Sequence, residues 1–190
     1  MVLKSQGAVL TVATRHAAVL GSPIGHSLSP ALHQAAYRSL QLSDWSYGAY
    51  EVQAPALRGH VAALDSSWVG LSLTMPLKEA AFEVVDEVSD LAREVGAINT
   101  LIRTSGLPGT SGTRSGWRGD NTDVYGVSQA LREAGCSCVA SALVLGSGAT
   151  ARSVVAALAT LGCAKVTFAV RSQARPETFD QARRAGLEVD

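Results

Sequence analysis

The chain has 190 residues, with 16 Lys+Arg against 16 Asp+Glu and therefore no formal net charge. That balance argues against retention on nucleic acid or on an acidic membrane surface, where a basic excess supplies the attraction. Hydrophobic residues make up 47%, too many for a disordered chain and ordinary for a globular one of one to two domains.

Residues 1–16 read as a loose extension without a cleavage signal. Ala17 to Gly21 predicts a short buried strand and Ser22-Pro23 a turn. Ser29-Pro30 opens a helix, Ser suiting the N-cap and Pro the first helical position. Leu32, Ala35, Ala36 and Leu40 supply its apolar spacing. Next come a strand over 47–52, a helix over 55–64 and a strand over 68–73. Apolar residues at 81, 82, 84, 85, 88, 91 and 95 predict one helical stripe across 77–95. A strand over 97–103 leads to a Gly/Ser/Thr-rich hairpin or loop at 104–116. Strands alternating with helices predict an α/β fold with mainly parallel pairing.

After Gly135 the composition changes. Residues 141–145 (SALVL) are apolar throughout, as a strand buried on both faces should be. A helix over about 149–161 follows, closed by Gly162, then a strand over 165–170 and a further helix from near Pro176. Cys136, Cys138 and Cys163 are an odd set without paired CxxC spacing, which indicates a reducing, cytoplasmic setting. His16, His26, His33 and His60 show no metal spacing, and no apolar run approaches the roughly 20 residues that span a bilayer.

Gly146-Ser147-Gly148-Ala149-Thr150-Ala151 matches G-x-G-x-x-[G/A] between a predicted strand and helix. In that setting the glycines permit a tight turn and close approach of a pyrophosphate at the helix N-terminus. After the second strand stands Arg171, with Ser172 next and Arg175 nearby. An NAD site usually has an acidic residue there for the ribose 2′-OH, whereas guanidinium suits a 2′-phosphate, so NADP is the expected cofactor. Lys78 falls in the first turn of a predicted helix, where partial positive charge disfavours a cation, so it is a candidate for proton transfer. Asp123 is either a helix cap or the carboxylate that orients Lys78.

Four ordered motifs resemble the shikimate dehydrogenase family: Gly21-Ser-Pro-Ile-Gly-His26-Ser27-Leu-Ser29-Pro30, Ser72-Leu-Thr74-Met-Pro76-Leu-Lys78, Gly96-Ala-Ile-Asn99-Thr-Leu, and Gly119-Asp-Asn121-Thr-Asp123-Val-Tyr-Gly126. The resemblance implies NADPH-dependent reduction of 3-dehydroshikimate to shikimate, an oxidoreductase step of the shikimate pathway, serving chorismate and aromatic amino acid biosynthesis. It implies that Ser27 and Ser29 bind the substrate carboxylate, that Thr74, Asn99 and Asp123 bind ring hydroxyls, and that Lys78 and Asp123 form the catalytic dyad. Ser29, Thr74 and Asn99 have plainer alternatives as helix-cap or turn residues. Ser72 stands where the family often has Asn, and Val170 where its NADP loop often has Asn.

The expected organisation is an extension over 1–16, a shikimate-binding catalytic domain over 17–122, and the N-terminal part of a Rossmann-type NADP-binding domain over 123–190. Only two sheet strands are predicted in that last part, fewer than a dinucleotide fold needs, so the length predicts a portion of a longer dehydrogenase. Quinate/shikimate dehydrogenase and a truncated, non-catalytic shikimate-binding module are the alternatives. The expected partner is the small-molecule substrate, not nucleic acid or a membrane, and a homodimer is left open.

Overall fold

The computed structural model describes residues 14–104 and 116–190. Most of the expected extension and of the 104–116 loop therefore lies outside the described residues. The first sheet is built outward from β1 (Arg15–Gly21), which begins two residues before the expected start of the strand. Parallel partners flank it: β2 (Trp45–Glu51) on one side and β3 (Trp68–Leu73) on the other. From β3 the sheet continues through β5 (Thr100–Arg103) and β6 (Trp117–Asp120) to β4 (Glu87–Val88), giving the order β2-β1-β3-β5-β6-β4. Leu20, Leu71, Leu77, Ile98 and Leu101 are fully buried in its core, each worth about 1.5–3 kcal/mol against exposure.

The pairing is mixed, not mainly parallel, because β5 runs antiparallel to both β3 and β6. β5 and β6 are successive strands paired as a hairpin, which reverses direction by necessity. Residues 77–95 are likewise not one helix. α3 (Leu77–Ala80) passes into a 3-10 turn (Ala81–Glu83), then β4, then α4 (Asp90–Val95). Hydrogen bonds to other elements and a new helix cap outweigh the apolar spacing. Asp86 accepts from Trp117 N at 2.8 Å, and Glu87 and Val88 pair with β6. Ser89 Oγ caps α4 by accepting from Ala92 N at 3.1 Å.

Helix α1 (Ser29–Ser39) also packs differently from its apolar spacing. Leu32 and Leu40 are exposed, and His33 and Tyr37 face the sheet instead. The His33 ring stacks on Tyr47 with centroids 3.9 Å apart, and Gln34 donates to Tyr47 O at 3.2 Å. A short 3-10 turn (Ala54–Ala56) and α2 (Leu57–Ala62) link β2 to β3.

The second sheet is parallel, β7-β8-β9, formed by β7 (Ser141–Leu145), β8 (Lys165–Ala169) and a short β9 (Glu188–Val189) that the sequence reading missed. Helices α6 (Ala149–Thr160) and α7 (Pro176–Arg184) connect them. β7 is not buried on both faces: Val144 is buried, whereas Leu143 and Leu145 are 65% and 79% exposed. Among the described residues it is an edge strand whose Val144 face meets α6, while the apolar face of Leu143 and Leu145 is left uncovered. Helix α5 (Asp123–Glu133) packs on α6, and Val95, Ala97, Val124, Ala156 and Ala157 form a core joining the two sheets. No helix among the described residues is long and apolar enough to cross a membrane.

Candidate active site

The C-terminal ends of β1 and β3, the N-terminus of α1, and the β6–α5 turn converge on a cavity of about 460 Å³. Ser27, Ser29, Thr74, Lys78, Asn99 and Asp123 all line it, so the structure brings the six expected substrate residues together. Lys78 Nζ donates to Asp123 Oδ2 at 2.6 Å, with the lysine side chain 11% exposed. The other oxygen of Asp123 accepts from Asn99 Nδ2 at 2.7 Å. Asn99 Oδ1 in turn accepts from Thr122 N at 2.9 Å and Thr100 Oγ1 at 2.8 Å, which fixes the amide with its donors toward Asp123.

Asp123 does not cap α5. Asn121 Oδ1 accepts from Asp123 N at 3.0 Å and Val124 N at 3.4 Å, leaving both carboxylate oxygens for the site. Ser29 is no N-cap either: it is the first residue of α1, after Leu28, and its own N–H reaches Ser27 Oγ at 3.3 Å. The Thr74 side chain caps nothing; its carbonyl accepts from Leu77 N at 2.8 Å and turns the chain into α3. Gly21 is required beside it, since a Cβ there would overlap Thr74 Cγ2 and approach Met75 O to 2.9 Å. Ser72 lines the cavity and accepts from Tyr47 Oη at 2.7 Å. Burial pushes the Tyr47 phenol above its ordinary range, against the hydrogen bonds of Ser72 and Ser29.

A second cavity, about 530 Å³, adjoins the glycine turn and is lined by Thr74, Lys78, Glu79, Leu143, Leu145, Gly146, Gly148, Ala149, Thr150 and Arg175. Gly146 holds φ +96, a left-handed conformation that favours glycine. A Cβ at Gly146 or Gly148 would meet nothing within 4 Å, so the turn opens onto free space. An open glycine turn, the N–H groups of the first turn of α6 and an arginine at the rim fit a pyrophosphate and a further phosphate.

Of the expected cofactor residues, Gly146, Gly148, Ala149, Thr150 and Arg175 line this cavity. Ser147 is buried and ties down the following loop: its Oγ accepts from Arg175 N at 3.0 Å and its carbonyl from Thr178 Oγ1 at 2.7 Å. Arg171 and Ser172 are exposed and line neither cavity. Lys78 lines both cavities, its Nζ also donating to Thr150 Oγ1 at 3.3 Å. Among the described residues, no group of three or more His, Cys, Asp or Glu is placed to hold a metal ion.

Two charged residues that the motifs did not single out stand between the sheets. Arg152, in the otherwise uncharged α6, is buried and donates to Val95 O at 2.9 Å, Gly96 O at 2.8 Å and Glu79 Oε1 at 2.6 Å. Partial burial opposes the charge of Glu79, yet Arg152 and Arg175 hold its carboxyl below the ordinary range. A lone arginine in an otherwise uncharged helix was the available signal.

Residues 19–101 match the family described as the shikimate dehydrogenase substrate binding domain. The chain is 37% identical over 172 residues to a shikimate dehydrogenase (NADP(+)) of Synechocystis, covering 90% of this chain and 56% of that protein. Over 184 residues it is 36% identical to one from Methanothermobacter thermautotrophicus, covering 95% and 62%. Among solved structures, a shikimate 5-dehydrogenase from Mycobacterium fortuitum superposes with TM-score 0.77 at 48% identity, covering 93% of this chain and 62% of that one. The Thermus thermophilus enzyme in complex with NADP(H) and shikimate superposes with TM-score 0.78 at 36% identity, covering 93% and 63%. The chain thus spans about three-fifths of the length of these relatives. By ordered motifs, fold and these likenesses, residues 19–101 match the shikimate dehydrogenase substrate binding domain, and the chain as a whole is similar to shikimate dehydrogenases over about three-fifths of their length.

Proposed function

We propose that the chain takes part in the reversible, NADPH-dependent reduction of 3-dehydroshikimate to shikimate, an oxidoreductase step at a CH–OH group in the pathway to chorismate and aromatic amino acids. The observation that carries this reading is Lys78, whose ammonium lines both cavities, with Asp123 at 2.6 Å on one side and Thr150 at 3.3 Å on the other. In this reading residues 17–122 are the substrate domain and 123–190 the nucleotide-binding part.

NADPH, when bound, supplies the hydride. Lys78 Nζ holds the proton that the new alkoxide oxygen takes, and Asp123 keeps that ammonium aimed into the cavity. Such a positioned acid contributes about 10²- to 10⁴-fold. Ser27 and Ser29, at the N-terminus of α1, suit the substrate carboxylate, and Thr74, Asn99 and Asp123 suit its ring hydroxyls. A site of paired polar groups rejects analogues that lack a hydroxyl, because its own groups are then left unsatisfied.

The test is NADPH oxidation with 3-dehydroshikimate. Lys78→Ala is expected to lower kcat by about 10²- to 10⁴-fold with little change in KM; unchanged turnover removes Lys78 from the chemistry. Comparing kcat/KM on shikimate and quinate separates the two substrate preferences. Shikimate binding by calorimetry without NADPH oxidation identifies instead a non-catalytic shikimate-binding module. Three free cysteines support a reducing, cytoplasmic setting. Sedimentation velocity across a concentration series decides the homodimer that the sequence leaves open.

A further inference from the structure

Lys78 is accounted for by the two cavities, but its neighbour Glu79 is not. Glu79 is half-exposed on α3 and binds two arginines of the other sheet's helices and loops at once. Those arginines are not equivalent. Arg152 is buried and satisfied by two backbone carbonyls as well as by Glu79. Arg175 is 54% exposed, lines the nucleotide cavity, and is tethered through its backbone N–H to Ser147 Oγ at 3.0 Å. Its Nη1 alone meets Glu79, at 3.1 Å from Oε1 and 3.3 Å from Oε2.

Glu79 engages only Nη1, so a phosphate on the remaining donors of Arg175 would lie near the charge of Glu79 and draw the guanidinium away from it. We propose that Glu79 is a specificity-determining counter-ion of the cleft, which holds Arg175 in the absence of a neighbouring phosphate and yields it to a nucleotide bearing a 2′-phosphate. This inference rests on the reading of the cleft as an NADP site. A nucleotide without that phosphate gains nothing from Arg175 and leaves the pair intact. One with it draws Arg175 away from Glu79, which stays held by Arg152, so α3 and Lys78 keep their place while the arginine changes partner.

The pair is solvent-exposed, so its removal is expected to shift affinity about three- to fivefold, not by orders of magnitude. Glu79→Gln keeps an acceptor for Arg152 and removes the charge. By calorimetry with the whole chain, Glu79→Gln is expected to tighten adenosine 2′,5′-bisphosphate about three- to fivefold while adenosine 5′-monophosphate changes less than about twofold. In an Arg175→Ala background the same substitution should produce no selective gain. Thermal unfolding of each variant establishes that it is folded, and Glu79→Asp, which restores the charge, should return the bisphosphate affinity toward wild type. Equal shifts for both probes, or a gain that survives Arg175→Ala, overturns the role of Glu79 while leaving the nucleotide site in place. Failure of the wild-type chain to bind either probe overturns both the site and the inference.

Discussion

Asp123 is free to orient Lys78 because Asn121 relieves it of capping α5. Asn121 is buried, its Nδ2 donating to Ala97 O at 2.9 Å and Ser153 Oγ at 3.1 Å while its Oδ1 takes the helix N–H groups. Asn121→Ala should therefore cost about 1–3 kcal/mol in urea unfolding. It should also lower kcat, because the Asp123 carboxylate becomes the nearest substitute cap. Gly21→Ala tests the opposite face of the same cavity: its Cβ collides with the Thr74 side chain. A destabilisation of about 1–3 kcal/mol is expected, together with a raised substrate KM from the displaced Thr74. Ser27, Ser29, Thr74, Lys78, Asn99 and Asp123, which the structure brings together in one cavity, were legible in the sequence because each belongs to a short, ordered motif. Glu79 and Arg152 were not, because their contact spans 73 positions and no local spacing encodes it. Arg171 shows the converse: a residue type in the expected place after a strand, whose side chain stands outside both cavities.

At the level of elements, periodicity succeeded where one strand or helix stood alone and failed where partners redefined it. The apolar positions across 77–95 do face a core, yet β6 draws residues 87 and 88 into the sheet and splits the helix. Ser89 then restarts it, accepting from Ala92 N and also donating to Asp120 Oδ1 at 2.6 Å. Ser89→Ala is expected to cost about 1 kcal/mol, read as a lower urea midpoint with an unchanged slope. The same reasoning explains β7. Five apolar or small residues in a row read as two buried faces, but among the described residues only the Val144 face is covered, by α6, and the face of Leu143 and Leu145 stays open. β9 escaped notice because two residues are too few for any alternation to register.

Over the whole molecule, the two sheets are fastened by the α5–α6 core and by one charged cluster, Glu79 with Arg152 and Arg175. Arg152 is the anchor, since removing it strands the carbonyls of Val95 and Gly96 and leaves the Glu79 carboxylate to Arg175 alone. Arg152→Ala should cost about 2–4 kcal/mol, more than Glu79→Gln, because buried acceptors lose their donor. The same cluster makes a pH dependence that can be signed in advance. Glu79 titrates below its ordinary value of 4.5 in the fold, so its charge stabilises the folded chain most fully above that pH. The contribution is lost as pH falls through the lower, folded value, when protonation severs the link to Arg152 and Arg175. Thermal unfolding from neutral pH down to the acid limb should therefore show a steeper fall for the wild type than for Glu79→Gln, which carries no titrating group at that position. Superimposable acid limbs for the two proteins would mean that the charge of Glu79 adds nothing to the joint between the sheets, and that its pairing serves only to place Arg175 at the cleft.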